Sequence, residues 1–150
     1  MESQQIPLLA PLVVGIGAIA ITVVIHGLAL LTVVNFIRQQ ERLGYAGKQF
    51  WLDVPIVAMT IFIALAAHLL EIAVWATLLM ICRQYPAFGS AYYHAGLSYT
   101  TLGDVALSPR WSLLSTLAAT DGMLMFGVST AIIFAIIQRL LATRYADLKR

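Results

Sequence analysis

The chain of 150 residues is 61% hydrophobic and only 11% charged, with a formal net charge of +2. Soluble domains are about half apolar and about a quarter charged, so this composition excludes an ordinary globular domain, a disordered chain and a nucleic-acid-binding protein. The sequence therefore predicts an integral membrane protein, in which the basic residues report topology rather than an anionic partner. The lone cysteine, Cys82, fits no structural zinc pattern.

Three apolar runs are each long enough to cross a bilayer, which needs about 20 apolar residues. The first occupies residues 11–37. The second occupies residues 53–81, where Asp53 suits an N-cap and Pro55 suits the first helical turn. The third opens at residue 109 and continues to about residue 141. The sequence therefore predicts three transmembrane helices.

A largely apolar and aromatic segment, residues 83–110, lies between the second and third runs. Its part from Pro86 to Tyr99 predicts a helix of about a dozen residues, which is too short to span the membrane. We therefore expect a re-entrant segment. Irregular backbone at membrane depth is tolerated only where protein or a water-filled cavity shields it, so this segment implies neighbours around it.

The distribution of basic residues predicts which side of the membrane each loop faces. By the positive-inside rule, the N-terminus is external and the first loop and the C-terminus are cytoplasmic, so the re-entrant segment enters from outside. We expect a multi-pass protein of the cell (inner) membrane, with the lipid bilayer around it. The basic residues assigned to the cytoplasmic side are Arg38, Arg42, Lys48, Arg139, Arg144, Lys149 and Arg150.

One motif lies at the end of the predicted short helix. Residues 99–104 read Tyr-Thr-Thr-Leu-Gly-Asp, and the following apolar run contains Gly-Met-Leu-Met-Phe-Gly at residues 122–127. In this order and placement, residues 54–141 resemble the pore module of the potassium-channel superfamily, as found in bacterial two- and three-transmembrane ion channels. In that family an outer helix, a short pore helix, a filter of the form Thr-Thr-x-Gly-Tyr-Gly-Asp and an inner helix follow one another.

The resemblance implies an all-α integral membrane fold with three transmembrane helices, a re-entrant pore helix and a filter loop. It also implies a homotetramer around a central pore, because one such loop cannot enclose a pore. The first transmembrane helix and its cytoplasmic loop (residues 1–50) would be peripheral, residues 51–141 would form the pore module, and residues 142–150 a short cytoplasmic tail. Within the module, the implied segments are an outer helix at about 54–81, a pore helix at about 86–99, a filter at 100–104 and an inner helix at about 109–141.

The filter departs from the family pattern, because Thr100-Thr101-Leu102-Gly103 runs directly into Asp104 without the Tyr-Gly pair. A potassium filter holds dehydrated ions in successive rings of backbone carbonyls, so a shorter loop loses carbonyl layers. The remaining carbonyls of Thr101, Leu102 and Gly103 would form a shorter constriction beneath a ring of Asp104 carboxylates. Such a ring attracts cations without full dehydration. We therefore expect a weakly selective or non-selective channel for K⁺, Na⁺ or Ca²⁺, with no enzymatic activity, no cofactor and no metal beyond permeant cations.

Placing a charged side chain inside a membrane span has a high free-energy cost, so each such residue requires an explanation. His68 and Glu71 share one helix face, and they form either a gate or brace behind the filter or a satisfied buried pair. Asp121 either contributes to an anionic ring in the cavity below the filter or makes a structural hydrogen bond to the pore helix or a neighbouring subunit. Gly122 and Gly127 provide either a hinge or close helix packing.

Two further histidines lie in apolar segments. His94, near the middle of the pore helix, is a candidate pH sensor, because imidazole is the side chain whose charge changes near neutral pH. His26 is isolated in the first span, where a hydrogen-bonded packing role is expected rather than a ligand role.

Two other functions compete with conduction. The first is a non-conducting channel-like scaffold or accessory subunit, which the truncated filter favours. The second is a membrane enzyme or proton carrier that uses His68, Glu71 and Asp121, and it requires these groups to converge in one water-accessible cavity. No small-molecule substrate is evident from the sequence.

Overall fold

The computed structural model describes residues 8–47, 49–103 and 107–147. Within these ranges the chain is all-helical, with no strand; its helices are α1 (Leu9–Arg42), α2 (Phe50–Ile81), α3 (Phe88–Tyr99) and α4 (Leu113–Asp147). Three of them, α1, α2 and α4, are long and apolar enough to cross a membrane. The predictions of an all-α fold and of three long apolar helices are confirmed.

The fourth helix, α3, has only 12 residues. At 1.5 Å per residue it is about 18 Å long, whereas the hydrocarbon core of a bilayer is about 30 Å thick. It begins two residues after Pro86 and ends at Tyr99, immediately before the Thr-Thr-Leu-Gly motif. α3 therefore cannot span a bilayer by itself.

The start of α2 differs from the predicted one. The helix begins at Phe50 with Gln49 as its N-cap, so the predictions that Asp53 caps it and that Pro55 lies in its first turn are wrong; Pro55 lies inside the helix. Asp53 instead lies in the first turn, where a carboxylate is favoured by the helix dipole. It accepts a hydrogen bond from the Gly47 N–H at 2.8 Å and forms an ion pair with Arg144 near the end of α4. The carboxylate thus joins the α1–α2 loop to α4 instead of closing its own helix end.

The core lies where α3 packs against both α2 and α4. Trp75, Tyr99 and Leu114 from these three helices are almost completely buried. Ala91 and Ala95 on α3 are buried in the same cluster. Small residues of this kind allow membrane helices to approach closely. α3 is therefore held on two sides by the longer helices.

The outer surfaces of α1 and α2 are apolar. Exposed large side chains recur along both helices, among them Val13, Leu28, Phe62 and Leu70. Helices that are apolar on all sides are typical of membrane spans, whereas a soluble protein rarely exposes so large an apolar surface. The distribution of apolar side chains supports the membrane assignment.

Candidate functional site: a buried polar cluster behind the end of α3

Polar side chains from all four helices meet inside the bundle, and we call this group the buried polar cluster. All of its members are buried. In a membrane protein, polar groups at such positions need partners within the protein. The cluster consists of Thr22 and His26 on α1, His68, Glu71 and Trp75 on α2, Tyr99 on α3, and Asp121 and Ser129 on α4.

The carboxylate of Glu71 is at the centre of the cluster and is fully buried. Its Oε1 lies 2.9 Å from His26 Nδ1, and its Oε2 lies 3.1 Å from His68 Nδ1. The hydroxyl of Tyr99 donates a further hydrogen bond to Oε2. Glu71 therefore joins α1, α2 and α3, and the predicted His68–Glu71 pair is part of a larger arrangement.

The hydroxyl of Ser129 lies between the two imidazoles on their other side. Its Oγ is 3.1 Å from His68 Nε2 and 3.2 Å from His26 Nε2. The two rings are tilted against each other, with centroids 5.3 Å apart. Together with Glu71, these residues form a closed ring of four polar contacts that links α1, α2 and α4.

Asp121 lies in the interior of the chain and is only 1% exposed. Trp75 donates its indole N–H to Asp121 Oδ2 at 2.9 Å, and Thr22 Oγ1 lies 2.9 Å from the same oxygen. Asp121 Oδ1 has no hydrogen-bond partner among the described residues. The carboxylate therefore faces α1 and α2 inside the chain. Its hydrogen bonds are structural, as one of the two expectations had it, but its partners are Thr22 and Trp75 rather than groups of the pore helix.

The two glycines of α4 have different surroundings. A Cβ atom on Gly122 would lie 1.9 Å from the backbone carbonyl oxygen of Tyr99. Gly122 therefore allows α4 to pass directly against the last residue of α3. A Cβ on Gly127 would meet no atom of the described residues within 4 Å.

The residues that follow α3 form a tight turn. Thr101 has a positive φ of 59°, and the N–H groups of Leu102 and Gly103 both point to the carbonyl of Leu97, at 3.0 and 3.3 Å. This pattern closes a helix C-terminus. Leu102 is 79% exposed, so the turn presents its tip outward from the chain. Asp104, assigned to the same motif, lies outside the described residues.

His94 does not belong to the cluster. Its ring is half-buried on the side of α3 that stacks on Tyr85, with ring centroids 4.6 Å apart and planes within 13° of each other. Burial raises the pKa of Tyr85 above its ordinary value, because the phenolate is poorly solvated there. His94 thus lies in an aromatic stack apart from Glu71 and Ser129.

One face of α4 remains uncovered, and we call it the threonine stripe: Thr116, Thr120, Met123, Gly127 and Thr130. Spacings of four and three residues place these positions in one line along the helix. All five are exposed, and no other element of the described chain covers them. The hydroxyls of Thr120 and Thr130 donate to backbone carbonyls one turn earlier, at 2.9 and 2.8 Å. The stripe lies opposite the buried face that carries the cluster.

Sequence reasoning missed several members of the cluster, including the partnership of His26 with Glu71. The available signal was the spacing of four residues between Thr22 and His26 and between Glu71 and Trp75. That spacing aligns polar groups on one face of each apolar helix.

No protein-family model, curated protein or solved structure significantly matches this chain. Its function must therefore be inferred from its own residues and geometry.

Proposed function

We propose that this protein is a cation channel in which four copies surround a central pore, with α3 as a re-entrant pore helix and the turn after it as a short filter. The observation that carries the proposal is the placement of α3. It is too short to span a membrane, is packed between two helices that are long enough, and ends at an exposed turn containing Thr101 and Leu102.

Electrostatics supports this role for α3. The C-terminal end of a helix carries the negative pole of its dipole and favours cations. The buried polar cluster fixes this end through the Tyr99 hydroxyl, while Gly122 lets α4 pack against the Tyr99 carbonyl. A fixed ring of such helix ends would direct the negative poles of four helix dipoles towards a cation at a subunit axis.

The threonine stripe supports a second part of the proposal. It places three threonines and one glycine, with Met123 between them, on one exposed face of a largely apolar helix. The inner helix of a channel has one face that contacts water or another subunit. In α4 the threonine stripe is exposed and available for such contacts. In the proposed tetramer the stripe faces the pore below the filter.

The short filter determines the expected selectivity. Without the Tyr-Gly pair, the loop offers fewer carbonyl layers than a multi-ion potassium filter requires. We therefore propose weak discrimination among K⁺, Na⁺ and Ca²⁺, aided by the Asp104 carboxylates. A non-conducting channel-like scaffold is the alternative, and the missing Tyr-Gly pair is the observation that favours it.

Cysteine accessibility tests the proposal. In a Cys82→Ser background, Thr120→Cys places a thiol on the threonine stripe, and Thr77→Cys places one on the exposed surface of α2. The two threonines are matched, because each is exposed and each donates to a carbonyl one turn earlier. After reconstitution in liposomes, a charged, membrane-impermeant thiol reagent should block most cation flux through Thr120→Cys and leave Thr77→Cys unaffected. Flux that is equally insensitive in both variants would contradict the placement of the stripe along the pore.

A further inference from the structure

We propose that His26, His68 and Glu71, with Tyr99, form a buried binding site for a divalent transition-metal ion of the zinc class. The sequence offered only the His68–Glu71 pair, which is too few ligands for such a site. The fold adds a third ligand, His26 from α1. One donor atom from each of His26, His68 and Glu71 lies within 4.8 Å of the others. Imidazole nitrogens and carboxylate oxygens are ligands that Zn²⁺ prefers.

The two imidazoles and the carboxylate lie close enough together for one small ion to bridge them. Both imidazole Nδ1 atoms face the Glu71 carboxylate, at 2.9 and 3.1 Å, and the Tyr99 hydroxyl lies 3.2 Å from His68 Nδ1. In a tetrahedral site with metal–ligand distances of about 2.0–2.1 Å, neighbouring ligand atoms are about 3.3 Å apart. The contacts of the two imidazoles with the carboxylate are close to this spacing, whereas the Tyr99 hydroxyl, which now hydrogen-bonds to Glu71 Oε2, would have to move away from that oxygen to share an ion with it.

Ser129 provides an independent argument based on proton counting. A neutral imidazole carries one N–H, and a serine hydroxyl carries one proton and two acceptor lone pairs. If both Nδ1 atoms donate to Glu71, both Nε2 atoms are acceptors, and the single Ser129 proton can satisfy only one of them. An ion bound at the two Nδ1 atoms places both protons on Nε2, where Ser129 Oγ accepts both. Metal-bound histidines commonly have such a partner on their other nitrogen.

Charge balance points in the same direction. With both imidazoles neutral, the Glu71 carboxylate would leave this group with a net charge of −1 at positions that are almost completely buried between apolar helices. An uncompensated charge at such a place is costly. A divalent cation bound there would compensate the carboxylate. The competing occupant is a single trapped proton, which would also complete the ring of hydrogen bonds.

The proposed site would be structural. Its four donor groups come from α1, α2 and α3 and leave no open position, as in closed structural zinc sites. Tyr99 immediately precedes Thr100, so the ion would hold the end of α3 against the two long helices. The proposal does not depend on conduction, because metal binding is measured without any flux.

Metal analysis of the purified full-length protein tests this site. After treatment with a chelator and reloading with Zn²⁺, the wild-type protein should retain about one ion per chain, and Co²⁺ should give the intense visible absorption of a tetrahedral site. His26→Gln and Glu71→Gln should lose this ion. His94→Gln is the matched control, because it removes a histidine outside the cluster, and it should retain the ion.

Ser129→Ala keeps every proposed ligand and removes only the partner of the two Nε2 atoms. It should weaken Zn²⁺ affinity by about 10- to 100-fold, which gives a readout even if a ligand variant fails to fold. A folded wild-type protein that binds neither Zn²⁺ nor Co²⁺ at this stoichiometry would overturn the proposal, as would retention of the ion by His26→Gln and Glu71→Gln. A metal-free wild type with one doubly protonated imidazole, seen by ¹⁵N NMR, would assign the site to a trapped proton instead.

Discussion

The carbonyl oxygen of Tyr99 lies so close to Gly122 that a Cβ atom there would be 1.9 Å from it. This contact joins the last residue of α3 to the face of α4 that also carries Asp121 and Ser129. The Tyr99 hydroxyl, at the other end of the same residue, donates to Glu71 on α2. Tyr99 is therefore fixed through both its backbone and its side chain, directly before the turn proposed as the filter.

Gly122→Ala tests the close approach. The added methyl group would meet backbone rather than a flexible side chain, so α3 and α4 would have to separate. We expect destabilisation of about 1–3 kcal/mol or more, measured as a lower thermal unfolding midpoint of the purified protein in detergent. Gly127→Ala is the control, because a Cβ there meets no atom of the described residues within 4 Å. Equal midpoints for the two variants would contradict the described packing of α3 against α4.

Trp75→Phe tests the anchoring of Asp121. The substitution keeps an aromatic ring in the core but removes the indole N–H that donates to Asp121 Oδ2. Because Asp121 Oδ1 has no partner among the described residues, the carboxylate is left with fewer donors. Such a loss in a buried position costs about 1–3 kcal/mol, which would appear as a lower unfolding midpoint. Trp51→Phe, at an indole that is 79% exposed, should leave the midpoint almost unchanged; a similar decrease in both would argue against the Asp121 contact.

Thr101→Gly tests the turn after α3. Thr101 has a positive φ of 59°, a conformation that disfavours a β-branched side chain and suits glycine. Relief of this strain should stabilise the protein by up to about 1 kcal/mol. Thr100→Gly is the comparison, because Thr100 has an ordinary φ of −85° and its hydroxyl donates to the Gly96 carbonyl. Unfolding midpoints should rise for Thr101→Gly and fall for Thr100→Gly, and the opposite order would contradict the turn geometry.

The sequence predicted the long helices well, because their apolar runs exceed the thickness of a bilayer. It was less accurate at their ends. α4 begins at Leu113 rather than at residue 109 and ends at Asp147 rather than at about residue 141. α1 extends from Leu9 to Arg42 rather than over residues 11–37, since a helix can continue through polar residues beyond the apolar run. α2 begins at Phe50, before Asp53, because Asp53 makes its contacts with the preceding loop and with Arg144 instead of with its own helix end.

The buried polar cluster was predictable only in part. The His68–Glu71 pair follows from spacing along one helix, whereas the contacts of Glu71 with His26 and of His68 with Ser129 connect residues 45 and 61 positions apart. Helices that are apolar on all sides carry little pattern to indicate which face turns inward. The spacing of Thr22 and His26 indicates a polar face on α1, but which side chains of the other helices meet that face is evident only from the fold.

The central claim is that assembled copies of this chain conduct cations. The most direct measurement is flux through the purified protein in liposomes under imposed K⁺, Na⁺ and Ca²⁺ gradients, with Asp104→Asn alongside the wild type. We predict flux of cations in preference to Cl⁻, with weak discrimination between K⁺ and Na⁺, and lower cation flux in Asp104→Asn. A folded tetramer that conducts none of these cations would contradict the claim and favour the non-conducting scaffold, and strong selectivity for K⁺ over Na⁺ would contradict the proposed short filter.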